Sequence, residues 1–345
     1  TSMDTSDILD TTPTQVDALV RQASAAQSWL EARGRMGRRD LLQRVADALE
    51  ARTDELVLVA DSETFLGESR LRAEVGRTTG QLRFQGEVAI DGSYLDASID
   101  HEAMAPAGRR PDLRRTAVPV GPVAVFGASN FPLAFGVLGG DTASALAAGC
   151  PVVAKGHPSH PRTSALIGAA VAQALAELGA PDGVFAQVSG FDAGLALIDA
   201  PGIKAAGFTG SVRGGQALAQ RAAARPEPIP FHGELGSLNP LVVTPAAAAA
   251  DPSGIGAGIA DSFTLSLGQY CTKPGVILLP TGRAGDDVRH ALVGRAAGVG
   301  HGRMLNEQME GSFGVALQQI GVDDGTSWAL GTEAPTGRVS PHLAE

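Results

Sequence analysis

The sequence has few cysteines, few aromatic residues and no long uninterrupted apolar run. Two cysteines in 345 residues are too few for a disulfide framework and indicate a reducing compartment. The longest apolar stretches carry Gly, Lys or Asp within about twenty residues, so we expect no membrane-spanning helix. No basic and then apolar leader opens the chain, and the protein is predicted to be cytoplasmic.

Positive charge is also scarce. The chain has 27 Lys and Arg against 37 Asp and Glu, a net charge of −10, and no run rich in Lys or Arg. This balance argues against nucleic acids and membrane surfaces as partners. Aromatic residues make up 4% of a sequence that is 44% hydrophobic, so the core must consist mainly of Ala, Val, Leu and Ile.

A regular alternation begins at residue 118, where short β-branched runs alternate with Ala-rich helical runs. The pattern is typical of successive βαβ units and predicts an α/β fold with a parallel sheet covered on both faces. Right-handed crossovers would place the carboxyl ends of the strands at one edge, where such sheets bind ligands. The predicted strands are 123–126, 151–154, 185–188, 205–209 and 229–232, and the helices between them are 135–148, 163–178, 193–199 and 215–224.

Helical patterning precedes this region, and a second alternation follows it. Apolar residues within 41–49 fall on one helix face, and Leu82 and Phe84 are predicted to continue the helical cover. Residues 92–117 suit an extended connector or an exposed hairpin, and the last forty residues are weakly patterned. We therefore predict two domains, 1–234 and 235–345. The predicted elements of the second are strands at 241–243 and 276–279 and helices at 255–267 and 286–297.

Three side chains near the ends of these elements could carry chemistry. Cys271 lies between a predicted helix and a predicted strand, and a thiol with a neighbouring base is a strong nucleophile. Glu234 ends an apolar run, where a carboxylate suits a general base. The amide of Asn130 follows the first predicted strand and could donate to an oxyanion. Taken singly, a structural cysteine explains Cys271 equally well, and an asparagine in a turn is the more common explanation of Asn130.

Other groups suit a phosphate-bearing ligand. Residues 207–215, Gly-Phe-Thr-Gly-Ser-Val-Arg-Gly-Gly, follow a strand and open a helix, and glycines with a helix N-terminus favour a phosphate. The spacing differs from the dinucleotide fingerprint G-x-G-x-x-G, and a turn without a ligand stays open. Lys155 ends a strand and could reach ribose hydroxyls or a phosphate, although it could equally extend into solvent. His157 and His160 are interpreted as loop histidines.

Two rival chemistries are disfavoured. The spacing of His232 and Glu234 is similar to that of zinc deaminases, but those need Pro-Cys-x-x-Cys downstream, and Cys271 has no partner cysteine nearby. A serine hydrolase would show Gly-x-Ser-x-Gly between a strand and a helix, which this sequence lacks.

Taken together, the motifs resemble those of the aldehyde dehydrogenase superfamily, in the family's order and near its spacing. They are Asn130-Phe131-Pro132-Leu133, Lys155, Phe208-Thr209-Gly210-Ser211, Glu234-Leu235-Gly236 and Gly268-Gln269-x-Cys271. The resemblance implies a Rossmann-type parallel-sheet cofactor domain and an α/β catalytic domain, with the active site between them. It also implies NADP or NAD as cofactor, a small-molecule aldehyde as substrate, and assembly into a homodimer or tetramer.

Carried over to this sequence, the resemblance implies that Cys271 forms a thiohemiacetal with the aldehyde. Asn130, together with the Cys271 backbone N–H, would hold the oxyanion, and Glu234 would activate the water that hydrolyses the resulting thioester. Lys155 would lie by the adenosine ribose. The other implied cofactor contacts are Gly210 and Ser211 by the pyrophosphate, and Phe126, Gly127, Ser129, His157, Pro158, Gly190, Thr209 and Gly215.

Within the superfamily, residues 126–135 and 154–158 most resemble the α-ketoglutaric semialdehyde dehydrogenases and the related bacterial fatty-aldehyde enzymes. The implied reaction is oxidation of 2,5-dioxopentanoate to 2-oxoglutarate, with a fatty aldehyde as the alternative substrate. Many NAD-specific relatives carry a glutamate three residues after the lysine, where this chain has Pro158. Without a carboxylate there to repel a 2′-phosphate, we expect NADP to be accepted or even preferred.

Some features of the superfamily are missing from this sequence. The later Glu-x-Phe-Gly-Pro motif, whose glutamate holds the nicotinamide ribose, and the C-terminal oligomerisation strand do not occur before Glu345. The second domain is therefore expected to be a truncated part of the catalytic domain. An alternative from another functional class also stays open, in which a truncated chain binds a dinucleotide without turnover.

Overall fold

The computed structural model describes residues 8–323, 325–331 and 334–345 of the chain, which divide into two units. Unit 1 comprises Thr1–Glu63 and Gly67–Glu234, and unit 2 comprises Thr64–Leu66 and Leu235–Glu345.

Among the described residues, the elements before Leu235 are seven α-helices, one short 3-10 helix (Ser93–Leu95) and nine strands. The helices are α1 (Pro13–Glu50), α2 (Thr53–Thr64), α3 (Glu68–Asp91), α4 (Gly140–Ala148), α5 (Pro161–Glu177), α6 (Phe191–Asp199) and α7 (Val212–Ala224). The strands are β1 (Ser98–Asp100), β2 (Ala103–Ala105), β3 (Gly108–Arg110), β4 (Leu113–Arg115), β5 (Val123–Phe126), β6 (Val152–Lys155), β7 (Phe185–Val188), β8 (Ala205–Thr209) and β9 (Phe231–Glu234).

Unit 1 is built on a five-stranded sheet in the order β7-β6-β5-β8-β9, in which every neighbouring pair is parallel. Numbered along the chain this is the order 3-2-1-4-5, that of a Rossmann-type sheet, so the predicted fold class is confirmed. The strands contain mostly small and β-branched residues, and Ala124, Val152, Val153 and Ala206 are fully buried. Strands buried on both faces explain their nearly continuous apolar sequence.

The N-terminal helices add a largely aliphatic layer to this core. Thr12 caps α1 through a reciprocal pair of hydrogen bonds with Gln15, and Gly34, at φ +60°, interrupts the helix. The apolar residues predicted to share one face, at positions 41, 42, 45, 46 and 49, are all buried. Leu82 and Phe84 both lie on α3, as the predicted helical cover requires; Leu82 is buried, whereas the Phe84 side chain is 63% exposed.

Residues 92–117 form an exposed pair of nested antiparallel ladders, β1 with β4 and β2 with β3. Of the two forms predicted for this segment, the structure adopts the hairpin.

Unit 2 has a separate, smaller core. Its elements are β10 (Pro240–Val242), α8 (Pro245–Ala250), α9 (Pro252–Thr264), β11 (Val276–Leu278), α10 (Arg283–Ala297), α11 (Glu307–Gly321), β12 (Trp328–Gly331) and β13 (His342–Ala344). Strands β10 and β11 are parallel, and β12 and β13 are antiparallel. The buried cluster consists of Val243, Ala248, Ile259, Ala260, Val288, Leu292 and Ala296.

One local expectation for unit 2 was wrong, and one of its helices was not predicted. The helix predicted over 255–267 ends at Thr264, because Ser266 and Leu267 adopt left-handed φ values of 48° and 58°. The weakly patterned end of the chain contains α11, which Asn306 caps. Every residue of α11 is at least partly exposed, so its sequence carries no strong apolar stripe.

Among the described residues, no helix combines the length and apolar character needed to cross a membrane. The same residues contain no cluster of three or more His, Cys, Asp or Glu side chains that could hold a metal ion.

Candidate active site

Five of the residues singled out from the sequence lie at one edge of the unit 1 sheet. Asn130 follows β5, Lys155 ends β6, Gly190 follows β7, Thr209 ends β8 and Glu234 ends β9. Because all five strands are parallel, these positions share the carboxyl edge, as expected from the βα alternation.

A buried carboxylate holds the loop that carries Asn130. Glu74 of α3 is 4% exposed, and its Oε1 accepts hydrogen bonds from the backbone N–H groups of Leu133 (2.8 Å) and Ala134 (3.0 Å). Burial raises the pKa of Glu74, and the two hydrogen bonds act in the opposite direction. Glu74 is 56 positions before Asn130 (130 − 74), so no local sequence signal indicated this contact.

Two arginines of α3 hold the same loop from outside. Arg70 donates a hydrogen bond to the backbone carbonyl of Asn130, and its guanidinium lies 4.9 Å from the ring centroid of Phe131. Arg77 lies 4.9 Å from the ring of Phe135. The hydrogen bond holds the Asn130 carbonyl, and the ring contacts hold two side chains that follow it in the loop. Asn130 itself stays partly exposed.

Lys155 and two histidines form a desolvated group at the end of β6. Burial lowers the pKa of Lys155 and lowers that of His157 to about 3, and the charges of His160 and Lys155 add to the effect on His157. As predicted, both histidines lie in the loop between β6 and α5. His160 is fully buried there, at the N-cap position of α5. Its Nε2 donates to the carbonyl of Ala128 at 2.8 Å, which ties α5 to the segment before Asn130.

The loop after β8 is a capped helix start. The Oγ of Ser211 accepts from the N–H of Gly214 at 3.2 Å, and the Gly210 N–H donates to the Glu234 carbonyl at 3.0 Å. The ring of Phe208 lies against Gly210, where a Cβ would come within 2.7 Å of it. The glycine therefore allows ring and backbone to approach closely at the N-terminus of α7.

An acidic group that sequence analysis missed lies beside Glu234. A Cβ on Gly207 would lie 2.8 Å from Oδ2 of Asp141, so this carboxylate rests against β8. Gly207 pairs with His232 and Thr209 pairs with Glu234, and paired residues of parallel strands point to the same face. Burial raises the pKa of Asp141, the charge of Glu234 raises it further, and that of His232 lowers it.

Cys271 belongs to unit 2 and lies on an exposed turn before β11. Its backbone carbonyl accepts hydrogen bonds of 2.6 Å from the Oγ of Ser237 and from the Nδ2 of Asn239. Asn239 also donates to the Lys273 carbonyl at 2.9 Å. As predicted, Cys271 lies between a helix and a strand, since it follows α9 and comes five residues before β11 begins at Val276.

Gln269 anchors the other side of this turn. It is 8% exposed, donates to the Ser266 carbonyl at 3.0 Å, and accepts from the Leu305 N–H at 3.0 Å. The turn therefore has a fixed backbone and a solvent-accessible thiol. The convergence of Cys271 with Asn130 and Glu234 stays a prediction, since the thiol and the other two side chains belong to different units.

The carboxyl edge of unit 1 offers groups that fit a dinucleotide. Lys155 donates no hydrogen bond to any described residue, although most of its side chain is buried. Gly190, at φ +100°, and the start of α7 present backbone near this edge. Of the other predicted contacts, Phe126 is buried in the core, Gly127 is buried, Ser129 and His157 are half-buried, Pro158 is exposed, and Gly215 is buried in the first turns of α7.

Residues 2–313 match the aldehyde dehydrogenase family. The chain is 52% identical over 241 residues to alpha-ketoglutaric semialdehyde dehydrogenase 2 of Azospirillum brasilense. The aligned region covers 69% of this chain and 46% of that relative. It is 40% identical over 312 residues to alpha-ketoglutaric semialdehyde dehydrogenase of Acinetobacter baylyi, covering 89% of the chain and 59% of that relative. The chain thus spans about half the length of the curated relatives it matches.

Solved structures share the fold at lower identity. NADP-dependent glyceraldehyde-3-phosphate dehydrogenase from Bacillus halodurans, determined in complex with NADP, is 22% identical, with a TM-score of 0.82. That match covers 98% of this chain and 70% of the other.

Proposed function

Because the chain belongs to the aldehyde dehydrogenase family, we propose that it oxidises an aldehyde to a carboxylate with NAD or NADP. The proposed substrate is 2,5-dioxopentanoate and the product 2-oxoglutarate, which the 52% and 40% identity to two alpha-ketoglutaric semialdehyde dehydrogenases supports. The observation that carries the proposal is the common position of Asn130, Lys155 and Glu234 at the carboxyl edge of one parallel sheet.

In the proposed reaction the Cys271 thiolate attacks the aldehyde carbon, and the carbonyl π electrons move to oxygen. The amide of Asn130 donates a hydrogen bond to this oxyanion, a contact that strengthens as charge develops. The fixed backbone around Asn130 supports this role, since Glu74 and Arg70 hold the loop before a substrate arrives. When bound, the nicotinamide supplies the acceptor for the hydride that leaves the carbon.

The second half of the reaction is hydrolysis of the thioester on Cys271. Glu234 removes one proton from water as the water attacks the carbonyl carbon. The C–S bond then breaks to release the thiolate and the carboxylic acid, which loses its remaining proton to solvent and becomes the carboxylate. The exposure of Glu234 at the end of β9 supports this role, because water can reach it.

Location and assembly are part of the same proposal. Both cysteines are free, as a reducing and therefore cytoplasmic environment would require. We further propose a homodimer or tetramer, which light scattering on the purified chain would test.

The test of function is production of reduced nicotinamide by the purified chain with 2,5-dioxopentanoate, succinic semialdehyde and a long-chain aldehyde. We expect the highest kcat/KM with 2,5-dioxopentanoate, and a loss of at least about a hundredfold in kcat for Asn130→Ala. A higher kcat/KM with the long-chain aldehyde would contradict the proposed substrate. Binding of the dinucleotide without turnover of any aldehyde would favour the binding-only alternative.

A further inference from the structure

The segment before α1 is attached to the cofactor edge of unit 1. The backbone N–H of Thr11 donates to the Ser189 carbonyl at 2.9 Å, and the Ser189 N–H donates to the Thr11 Oγ1 at 3.0 Å. Ser189 directly follows β7, so these two bonds bring the residue before Thr11, Asp10, to the carboxyl end of that strand.

The carboxylate of Asp10 lies directly against Gly190. A Cβ on Gly190 would lie 2.5 Å from the Cγ of Asp10 and 2.7 and 2.8 Å from its two oxygens. Only glycine leaves this space, and its φ of +100° also favours glycine. Asp10 is exposed and accepts no side-chain hydrogen bond from any described residue, so both oxygens are accessible to a ligand.

Lys155 ends β6, the strand that pairs with β7, and so lies at the same edge of the sheet as Asp10. The carbons of its side chain run past Gly194 of α6, at 3.7 Å from the position a Cβ would take there. The negative charge of Asp10 raises the pKa of Lys155 against the lowering effect of burial, so the two groups interact electrostatically. They form no direct ion pair among the described residues, which leaves both able to bind a third group.

We propose that Asp10 supplies the acidic group of the adenosine-ribose subsite beside Lys155, and that it makes the chain prefer NAD over NADP. The proposal rests on the proposed function, in which this edge binds a nicotinamide dinucleotide. It assigns the acidic group of the subsite to a residue outside the βα unit that carries Lys155.

The chemistry of the two cofactors explains why Asp10 would discriminate. A carboxylate accepts hydrogen bonds from the free hydroxyls of a ribose, as an acidic residue commonly does in dinucleotide-binding sheets. The 2′-phosphate of NADP removes one of these donors and places a negative charge beside the carboxylate. Lys155 alone does not discriminate in this way, because an ammonium group donates to a hydroxyl and to a phosphate.

The Asp10 carboxylate would oppose the acceptance of NADP that was expected from Pro158. That expectation rested on the lack of a carboxylate three residues after Lys155. In the fold, Asp10 brings a carboxylate from the N-terminal side of α1 to the end of β7, the strand next to the one that Lys155 ends.

The test is equilibrium binding of NAD and NADP to the purified chain by calorimetry, without aldehyde. ADP and adenosine 2′,5′-bisphosphate serve as fragments that carry the same difference at the ribose. We expect NAD to bind at least about tenfold more tightly than NADP, and Asp10→Asn to reduce that ratio about tenfold or more. Asp17→Asn, which removes an exposed charge from α1, is the matched control and should leave the ratio unchanged.

Three outcomes would overturn the inference. The first is NADP binding at least as tightly as NAD to the unmodified chain. The second is an unchanged ratio in Asp10→Asn, the result expected if Asp10 only stabilises the N-terminus of α6. In both cases dinucleotide binding, and with it the proposed function, would stand. The third is binding of neither nucleotide, which would reject the proposed function together with the inference.

Discussion

Glu74 offers a sharp test of how the loop at Asn130 is held. Its carboxylate is buried and accepts the N–H groups of Leu133 and Ala134, three and four residues after Asn130. Replacing Glu74 with alanine would leave both N–H groups buried without an acceptor. The variant should therefore destabilise unit 1 and also displace the proposed oxyanion donor.

The magnitude follows from the two lost bonds and the removed charge. A hydrogen bond to a charged group contributes about 1.5–3 kcal/mol, so two give an upper limit near 3–6 kcal/mol. The cost of burying the carboxylate, seen in the raised pKa of Glu74, offsets part of this. We expect a net loss of about 2–4 kcal/mol for Glu74→Ala, a fall in Tm of roughly 5–15 °C for a unit of this size. Glu74→Gln keeps one acceptor oxygen and should cost about 1 kcal/mol.

The two tryptophans make the assay specific. Trp29 lies on α1 in unit 1 and Trp328 lies in unit 2, so a Trp328→Phe background reports unit 1 alone by fluorescence. The control is Glu87→Ala. Glu87 lies on α3, like Glu74, but its carboxylate is exposed and pairs with Arg39 of α1, so its removal should cost less than about 1 kcal/mol. A loss below about 1 kcal/mol for Glu74→Ala, or equal losses for alanine and glutamine, would refute the reasoning.

Three further predictions concern other groups of the two units. Asn239→Ala should destabilise unit 2 by about 2 kcal/mol, because it removes the hydrogen bonds to the Cys271 and Lys273 carbonyls and places alanine at a φ of +47°. Urea unfolding measures the loss. Asn239→Gly, which lacks the same bonds but tolerates this φ, separates the effect of the bonds from that of the backbone. Burial lowers the pKa of His157 from 6.5 to about 3. Between pH 3 and pH 6.5 this histidine is therefore protonated in the unfolded chain but neutral in the folded chain. The contribution of neutral His157 to the free energy of unfolding is fully present above pH 6.5 and falls toward pH 3 by at most about 1.4 kcal/mol per pH unit. His157→Gln should reduce this slope, measured by urea titrations at several pH values. Asp141→Asn should stabilise unit 1 by about 1 kcal/mol at pH 7, since it removes a desolvated charge beside Glu234, and a loss of stability in thermal unfolding would count against this arrangement.

Local pattern was sufficient to predict the sheet. Five apolar runs separated by Ala-rich helices indicated the parallel strands, and β5, β7 and β8 have the predicted bounds. The parallel order then placed Asn130, Lys155 and Glu234 at one edge, because each follows or ends a strand of known direction.

The supporting contacts could not be predicted, because they join residues distant in sequence. Glu74 reaches the Asn130 loop from α3, Asp141 reaches β8 from α4, and Asp10 reaches Gly190 from before α1. None of these acids shows a local signal, since an exposed surface acid would look the same in the sequence. The α11 helix was missed for a related reason: its residues are all partly exposed, so its apolar pattern is weak.

The most direct test of the proposed chemistry is mass spectrometry of the Glu234→Gln variant after incubation with 2,5-dioxopentanoate and NAD. If Cys271 is the nucleophile and Glu234 activates the hydrolytic water, an acyl adduct should accumulate on Cys271 in this variant and be absent in Cys271→Ala. Reduction of NAD by Cys271→Ala at the unmodified rate, or an adduct on any other residue, would contradict the proposed mechanism.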